Sequence, residues 1–393
     1  MRFSSHVSSL EPSATLALRA RARRLAAEGR SVVDLSAGEP TFPTPTFAAE
    51  AAVESIRAGR TGYPPTQGIP ELRTAIADYL AGTTAHGALA PEDVLVSCGA
   101  KQALFNCVFS LIDAGEEVLV PAPFWPSYDP IVRFAGGRPV VVPTRWQEGF
   151  VVDPAALEAA RTPATRALIL NSPANPTGAV IPEERLSEIA AWCDRHGIWL
   201  LADEIYRRLS YGEGAAPSVL DLAPDVRGER IVMLGGVSKS FSMTGWRIGF
   251  AAGPGGLIAR ATALQSQTTS AAAGPSQYAA AAAYASRERE PTIGEFVRIL
   301  GERRRLGLEL LGQVPGFRLV PPDGAIYLFP RVPDGVASAA LAEGLLERAG
   351  VACVPGDAFG APGFLRFNFA VREKELREGL ERTRAYVLEA SRG

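Results

Sequence analysis

Between Val94 and Ala251 short β-rich runs alternate with helical stretches, and a chain built this way has few means of burying both kinds of element. Strands are predicted at Val94 to Ser97, Glu117 to Val120, Pro139 to Val142, Ala167 to Leu170, Trp199 to Ala202, Ile231 to Leu234 and Ile248 to Ala251. Helices are predicted from Lys101 onward and from Pro182 to His196. Strands alternating with helices imply an α/β domain whose largely parallel sheet is flanked by helices. Ligands in such sheets bind outside the carboxyl ends of the strands, so the residues that follow each strand are where function is sought.

The flanking segments read differently. A helix is predicted from Pro12 to Glu28, a short strand from Ser31 to Leu35, and helices from Thr46 to Ala58 and Pro70 to Leu80, the last with proline at its start where a missing N–H costs nothing. The alanine-rich stretch Ala271 to Ala285, interrupted by Gly274-Pro275, reads as a domain-joining helix. A long helix from Thr292 to Leu311, strands around Phe317 to Val320 and Ala325 to Phe329, and a helix from Glu373 complete a smaller α+β domain. At 393 residues two domains are the default. The expected division is an arm and part of the small domain over 1–45, a large domain over 46–285, and a small C-terminal domain over 286–393.

Composition narrows the function classes. Forty Lys+Arg face 42 Asp+Glu, for a net charge of -2, so no electrostatic footprint for nucleic acid or an anionic membrane is expected. Cys98, Cys107, Cys193 and Cys353 lie far apart, without zinc-site or disulfide-framework spacing, and reduced cytoplasmic thiols are the simplest reading. No metal is expected, because the three histidines, His6, His86 and His196, stand in polar or turn-like surroundings. No signal pattern or membrane-length apolar run is visible, which points to a soluble intracellular protein.

The strongest local signal is Gly235-Gly236-Val237-Ser238-Lys239-Ser240-Phe241-Ser242-Met243-Thr244-Gly245-Trp246-Arg247-Ile248-Gly249. A lysine among small residues just past a strand can approach an aldehyde, and the following Arg247 can hold a phosphate bidentately. Asn171-Ser172-Pro173-Ala174-Asn175-Pro176-Thr177-Gly178 and Asp203-Glu204-Ile205-Tyr206 each follow a predicted strand. At Ser97-Cys98-Gly99-Ala100-Lys101 a strand passes through glycine into a helix, whose first N–H groups favour an anion.

In this order these blocks resemble the class I and II aminotransferase family, and the resemblance spans nearly the whole chain from about Pro12. It implies pyridoxal 5'-phosphate held covalently by Lys239, which is also the catalytic base. It further implies Asp203 at the pyridine nitrogen and Asn175 and Tyr206 at the ring oxygen. The same resemblance assigns Trp125 to a stack on the ring and the phosphate to Gly99, Ala100, Lys101, Ser238 and Arg247. Tyr63 of Gly62-Tyr63-Pro64-Pro65-Thr66-Gln67-Gly68 is assigned to the phosphate of the partner subunit in a homodimer. Arg366, with Gly38, Trp125 and Asn175, is assigned to the substrate. One departure is visible: many relatives carry a serine where this chain has Gly236.

The block from Gly99 to Asn106 and the arm Pro12-Ser13-Ala14-Thr15 resemble the bacterial aspartate/prephenate branch, in which the residues matching Lys101 and Thr15 contact the substrate's distal carboxylate. Transamination between aspartate or glutamate and a 2-oxo acid, by a ping-pong route, is the implied reaction. A lyase or synthase on the same fold and an aminotransferase for aromatic or neutral substrates are the alternatives. A cofactor-sensing transcription regulator would need a DNA-binding module, for which the residues before Pro12 leave no room.

Overall fold

The protein is described by a computed structural model covering residues 14–84, 89–222 and 230–390, apart from the side chains of Ala14 and Thr15. The chain opens with α1 (Ala14–Ala27), β1 (Val33–Asp34), α2 (Thr46–Arg57) and α3 (Pro70–Thr83). The alternating region follows as β2 (Val94–Ser97), α4 (Ala100–Leu111), β3 (Glu117–Ala122), α5 (Tyr128–Phe134), β4 (Arg138–Pro143), α6 (Pro154–Ala160), β5 (Thr165–Asn171), α7 (Glu183–His196), β6 (Trp199–Asp203), β7 (Ile231–Gly236) and β8 (Gly249–Ala252). Helices α8 (Gly255–Thr268), α9 (Gly274–Ala285) and α10 (Arg289–Gly312) lead to β9 (Tyr327–Leu328), α11 (Ser338–Gly344), β10 (Val351–Ala352), β11 (Val354–Pro355), β12 (Leu365–Asn368) and α12 (Glu373–Ala390).

Seven strands form one sheet in the order β2-β8-β7-β6-β5-β3-β4. Only β8 runs against its neighbours; the remaining pairings are parallel, as the alternation requires. The strands are apolar throughout because both faces of the sheet are covered. In β5, Leu168 and Leu170 enter one core while Ala167 and Ile169 enter the core on the opposite face. That alternation is the period of a strand made visible in packing.

A further core gathers residues from both ends of the chain, including Val33, Leu35, Leu310, Leu328, Phe367, Leu376 and Leu380. Strand β1 pairs in parallel with β10, and β12 lies between β11 and β9 in an antiparallel sheet. Three expectations from the sequence are corrected. Phe317 to Val320 forms no strand but a single bridge between Arg318 and Arg331, since Pro321 and Pro322 offer no donors to a ladder. Gly274-Pro275 starts α9, with proline in its first turn where no donor is needed, and so interrupts nothing. The joining role falls to α10, whose Ile293 enters the core of the large sheet while Leu300 and Leu310 enter the other; α9 packs on α2 and α3. Among the described residues no helix is long and apolar enough to cross a membrane.

Candidate active site

The carboxyl ends of β5, β6 and β7 open into a cavity of about 350 Å³. The sheet side contributes Asn171, Asp203, Ser238 and Lys239, and the start of α4 contributes Ala100 and Lys101. Gly38, Tyr327 and Arg366 close the opposite side, Trp125 and Asn175 flank it, and Leu16 of α1 stands at its edge. The chain contains just three lysines, Lys101, Lys239 and Lys374. Two of them line this one cavity, in a protein that otherwise uses arginine for positive charge.

Lys239 follows β7, and its Nζ donates to the carbonyl oxygen of Gly38. Burial pushes its pKa down to about 8, against the opposing pull of Glu39; Arg366 and Arg247 lower it further and Asp203 raises it. Asp203, at the end of β6, is 5% exposed and accepts hydrogen bonds from the Tyr128 hydroxyl at 2.8 Å and the Ile205 N–H at 3.3 Å. Burial raises its pKa, while those two donors and the Lys239 charge favour the carboxylate. The Asn171 side chain donates to the Asp203 carbonyl at 2.7 Å and accepts from the Asn175 N–H at 2.8 Å, so two neighbouring strand ends are locked in register by one amide.

An anion cradle lies at the start of α4. Gly99 has a positive φ of 83°, which side chains rarely tolerate, and a Cβ there would lie 2.4 Å from Arg247 Nη2. Glycine therefore lets the guanidinium settle against the helix N-terminus, where free N–H groups already attract negative charge. Gly249 serves the same closeness from β8, since its Cβ would stand 2.1 Å from the Ala100 nitrogen. Arg247 donates to the carbonyl oxygens of Thr244 at 2.9 Å and Cys98 at 3.4 Å and lines the cavity. The Ser238 hydroxyl makes no hydrogen bond to the described residues. At Gly236 a Cβ would come within 2.8 Å of the Ile248 carbonyl, so a serine there needs a shift of β8.

Arg366 of β12 is 2% exposed, with its guanidinium centred 4.4 Å above the Tyr327 ring and 4.9 Å from that of Phe359. Nη1 donates to Asn175 Oδ1 at 2.9 Å and Nη2 to the Ser36 carbonyl at 2.7 Å, while buried Nε has no partner among the described residues. A desolvated, planar cation with an unmet donor suits a carboxylate. At the mouth, Lys101 Nζ lies 4.8 Å from the Trp125 ring, and burial lowers its pKa.

The structure thus brings Gly38, Ala100, Lys101, Trp125, Asn175, Asp203, Tyr206, Ser238, Lys239, Arg247 and Arg366 to one cavity, with Gly99 behind it. Thr15 stands in the first turn of α1, and its side chain lies outside the described residues. Tyr63 does not line the cavity; it is 100% exposed on a loop pinned by Gln67 and Gln265. Sequence reasoning missed Tyr128, Asn171 and Tyr327. Scarcity of lysine was a signal available for the cavity as a whole, but nothing local marks Tyr327, in a strand two residues long.

The family model for "Aminotransferase class I and II" matches residues 30–382. A "Probable aspartate/prephenate aminotransferase" from Thermus aquaticus is 44% identical, covering 96% of this chain and 97% of that protein. An "Aspartate aminotransferase" from Geobacillus stearothermophilus is 40% identical, covering 98% and 99%. The solved structure of the aspartate aminotransferase from Thermus thermophilus with maleate superposes with a TM-score of 0.91 at 41% identity, covering 98% of this chain and 100% of that one.

Proposed function

Since the chain belongs to the class I and II aminotransferase family, we propose that it moves an amino group between an acidic amino acid and a 2-oxo acid, using pyridoxal 5'-phosphate at Lys239. The observation that carries this reading is a lysine of lowered pKa set between a buried carboxylate, Asp203, and a buried guanidinium, Arg366, in one cavity.

The residues present fit that cofactor. Gly99 leaves a cradle that a Cβ would fill, Arg247 and the first N–H groups of α4 suit its phosphate, and Ser238 has a hydroxyl to spare. Asp203 suits a protonated ring nitrogen, Trp125 a ring face, and Asn175 and Tyr206 a ring oxygen. Pyridoxal phosphate supplies an electron-withdrawing ring that stabilises negative charge at the α-carbon of an amino acid.

The protein's own groups do the rest. Arg366 takes the substrate's α-carboxylate, oriented by its stack between Tyr327 and Phe359 and by Asn175. Lys239 Nζ removes a proton from the α-carbon and returns it, a task suited to an amine whose pKa, about 8, lies near neutrality. Asp203 keeps its charge by accepting from Tyr128 and Ile205. One product leaves before the second substrate enters, because both use Arg366 and Lys239 in turn.

Lys101 at the mouth, together with Thr15, is the proposed contact for a distal carboxylate. Maleate, the ligand named for the Thermus thermophilus structure, is a dicarboxylate, which supports that reading. The reading extends to a cytoplasmic homodimer, supported by four free cysteines and by the full exposure of Tyr63. Titrating the purified protein with pyridoxal phosphate and assaying amino acids against 2-oxo acids, prephenate included, tests it. Lys239→Ala is expected to lose both the cofactor band and transamination by about 10⁴-fold or more; a variant with full activity would sink the assignment.

A further inference from the structure

We propose that Tyr327 is a positioning residue: its hydroxyl donates to Tyr206, which turns the Tyr206 proton into the cavity, while its ring seats the Arg366 guanidinium. This rests on the reading of the cavity as the cofactor site.

Tyr327 is 1% exposed on β9, and its hydroxyl lies 2.7 Å from that of Tyr206. Among the described residues each hydroxyl has the other as its sole hydrogen-bond partner. One bond between two hydroxyls consumes one proton and leaves the other free to point elsewhere. The charges decide which. The Arg366 guanidinium is centred over the Tyr327 ring at 4.4 Å and stabilises negative charge on that phenol, which makes Tyr327 the stronger acid and the better donor. Tyr206 is held well above the ordinary phenol range, first by its burial and then by Tyr327 itself; Arg366 lowers it there, and the Asp203 carboxylate, a smaller influence than Arg366, raises it. Its own ring-face cation, Lys239, is farther off at 5.6 Å and is the charge in this site that titrates. Glu39, also facing Tyr327, opposes Arg366 there as a smaller influence.

With Tyr327 donating, Tyr206 accepts on its oxygen and its proton is free for an acceptor in the cavity, which both side chains line. The glycine at 38 is part of the arrangement: a Cβ there would lie 3.1 Å from the Tyr327 hydroxyl and press it from its partner. Tyr327 therefore couples the two halves of the site. Its ring fixes the plane of the group that takes the substrate carboxylate, and its hydroxyl sets the direction of the Tyr206 donor.

The two roles separate chemically. Tyr327→Phe keeps the ring under Arg366 and removes the hydroxyl, whereas Tyr327→Leu removes both. The test is a pH titration of the visible band of the cofactor-loaded protein, repeated for Tyr327→Phe, Tyr206→Phe and the double variant, with KM for the amino acid measured alongside. A donor on the ring oxygen weakens its hold on a neighbouring proton, so losing the donor raises the midpoint. Besides Tyr206 and Tyr327, the charged and titratable groups facing this site are Lys239, Glu39, Asp203, Arg247, Arg366, Lys101 and Tyr128, all unchanged in these variants.

Tyr206→Phe is expected to raise the midpoint most, and Tyr327→Phe to raise it by roughly half to one pH unit. The double variant should match Tyr206→Phe alone, because Tyr327 acts only through that hydroxyl. KM should stay within about twofold in Tyr327→Phe and rise roughly tenfold in Tyr327→Leu. A Tyr327→Phe midpoint equal to the unmodified protein's, or shifts that add in the double variant, would overturn the proposal. If the unmodified protein shows no cofactor band at any pH, the cofactor reading itself fails, and this inference with it.

Discussion

Two cations, Arg366 buried and Lys239 half-buried, face the same cavity from opposite walls, and they are treated in opposite ways. Arg366, on the wall built from the second core, is stacked between two aromatic rings and tied by hydrogen bonds to Asn175 and the Ser36 carbonyl. Burial lowers its pKa, yet a guanidinium starts so high that it stays charged throughout the working range. Lys239, on the sheet wall, has a carbonyl oxygen as its one hydrogen-bond partner among the described residues, and burial brings its pKa down to about 8. Similar desolvation thus yields a permanent charge on one wall and a titrating amine on the other. In the proposed reading Arg366 anchors a carboxylate and must never lose its charge, whereas Lys239 carries a proton and must be able to.

The contrast can be broken, and the largest expected effect is at Asp203, which opposes the loss of charge on Lys239. Asp203→Asn removes a buried negative charge at a cost of about 3 kcal/mol or more, so kcat should fall roughly a hundredfold or further while the cofactor stays bound. Steady-state rates equal to those of the unmodified protein would mean that another group serves the ring.

Next in size is Arg366→Lys, which keeps a positive charge and loses the planar fork. Without the charge-assisted pair, worth roughly 1.5–3 kcal/mol, kcat/KM should drop about ten- to a hundredfold for every amino acid alike. A drop confined to acidic amino acids would instead assign Arg366 to the distal carboxylate.

Lys101→Ala probes the mouth, where the effect should be selective. Aspartate is expected to lose about tenfold in kcat/KM and alanine little. Equal losses would move Lys101 to the cofactor phosphate.

The smallest effect sharpens the comparison most directly. In the cofactor-free protein Lys239 should react with an amine-selective reagent along a curve centred near pH 8, read by mass spectrometry of its peptide. The sign is fixed by the lowered pKa: the protonated, unreactive form holds below about 8 and the reactive amine appears above it. A midpoint at the ordinary lysine value would mean that the amine is solvated, and the contrast with Arg366 would collapse.

Much of this was open to reading from the chain alone, because its signals are local. Strand alternation is written in consecutive residues, and β2 runs from Val94 to Ser97 as read from its sequence. The blocks at Gly99, Asn175, Asp203 and Lys239 each sit on one strand-to-loop junction, and their order along the chain carries the resemblance that implies the chemistry. Phe317 to Val320 was misread for the complementary reason. A strand needs a partner able to extend the ladder, and the local pattern carries no record of one.

By itself, then, the sequence determined the seven strands of the large sheet and which residue types gather at their ends. Only the tertiary structure decided what surrounds them. The pKa of Lys239 is lowered by burial in a cavity whose walls include Gly38 and Arg366, from distant stretches of chain, while Asp203 on the neighbouring strand end opposes the shift. The Tyr206–Tyr327 hydroxyl pair likewise exists only because a two-residue strand is held against the end of the large sheet. Desolvation and hydrogen-bond direction depend on every group within a few ångströms, whatever its place in the chain, and so they cannot be read from any single segment of it.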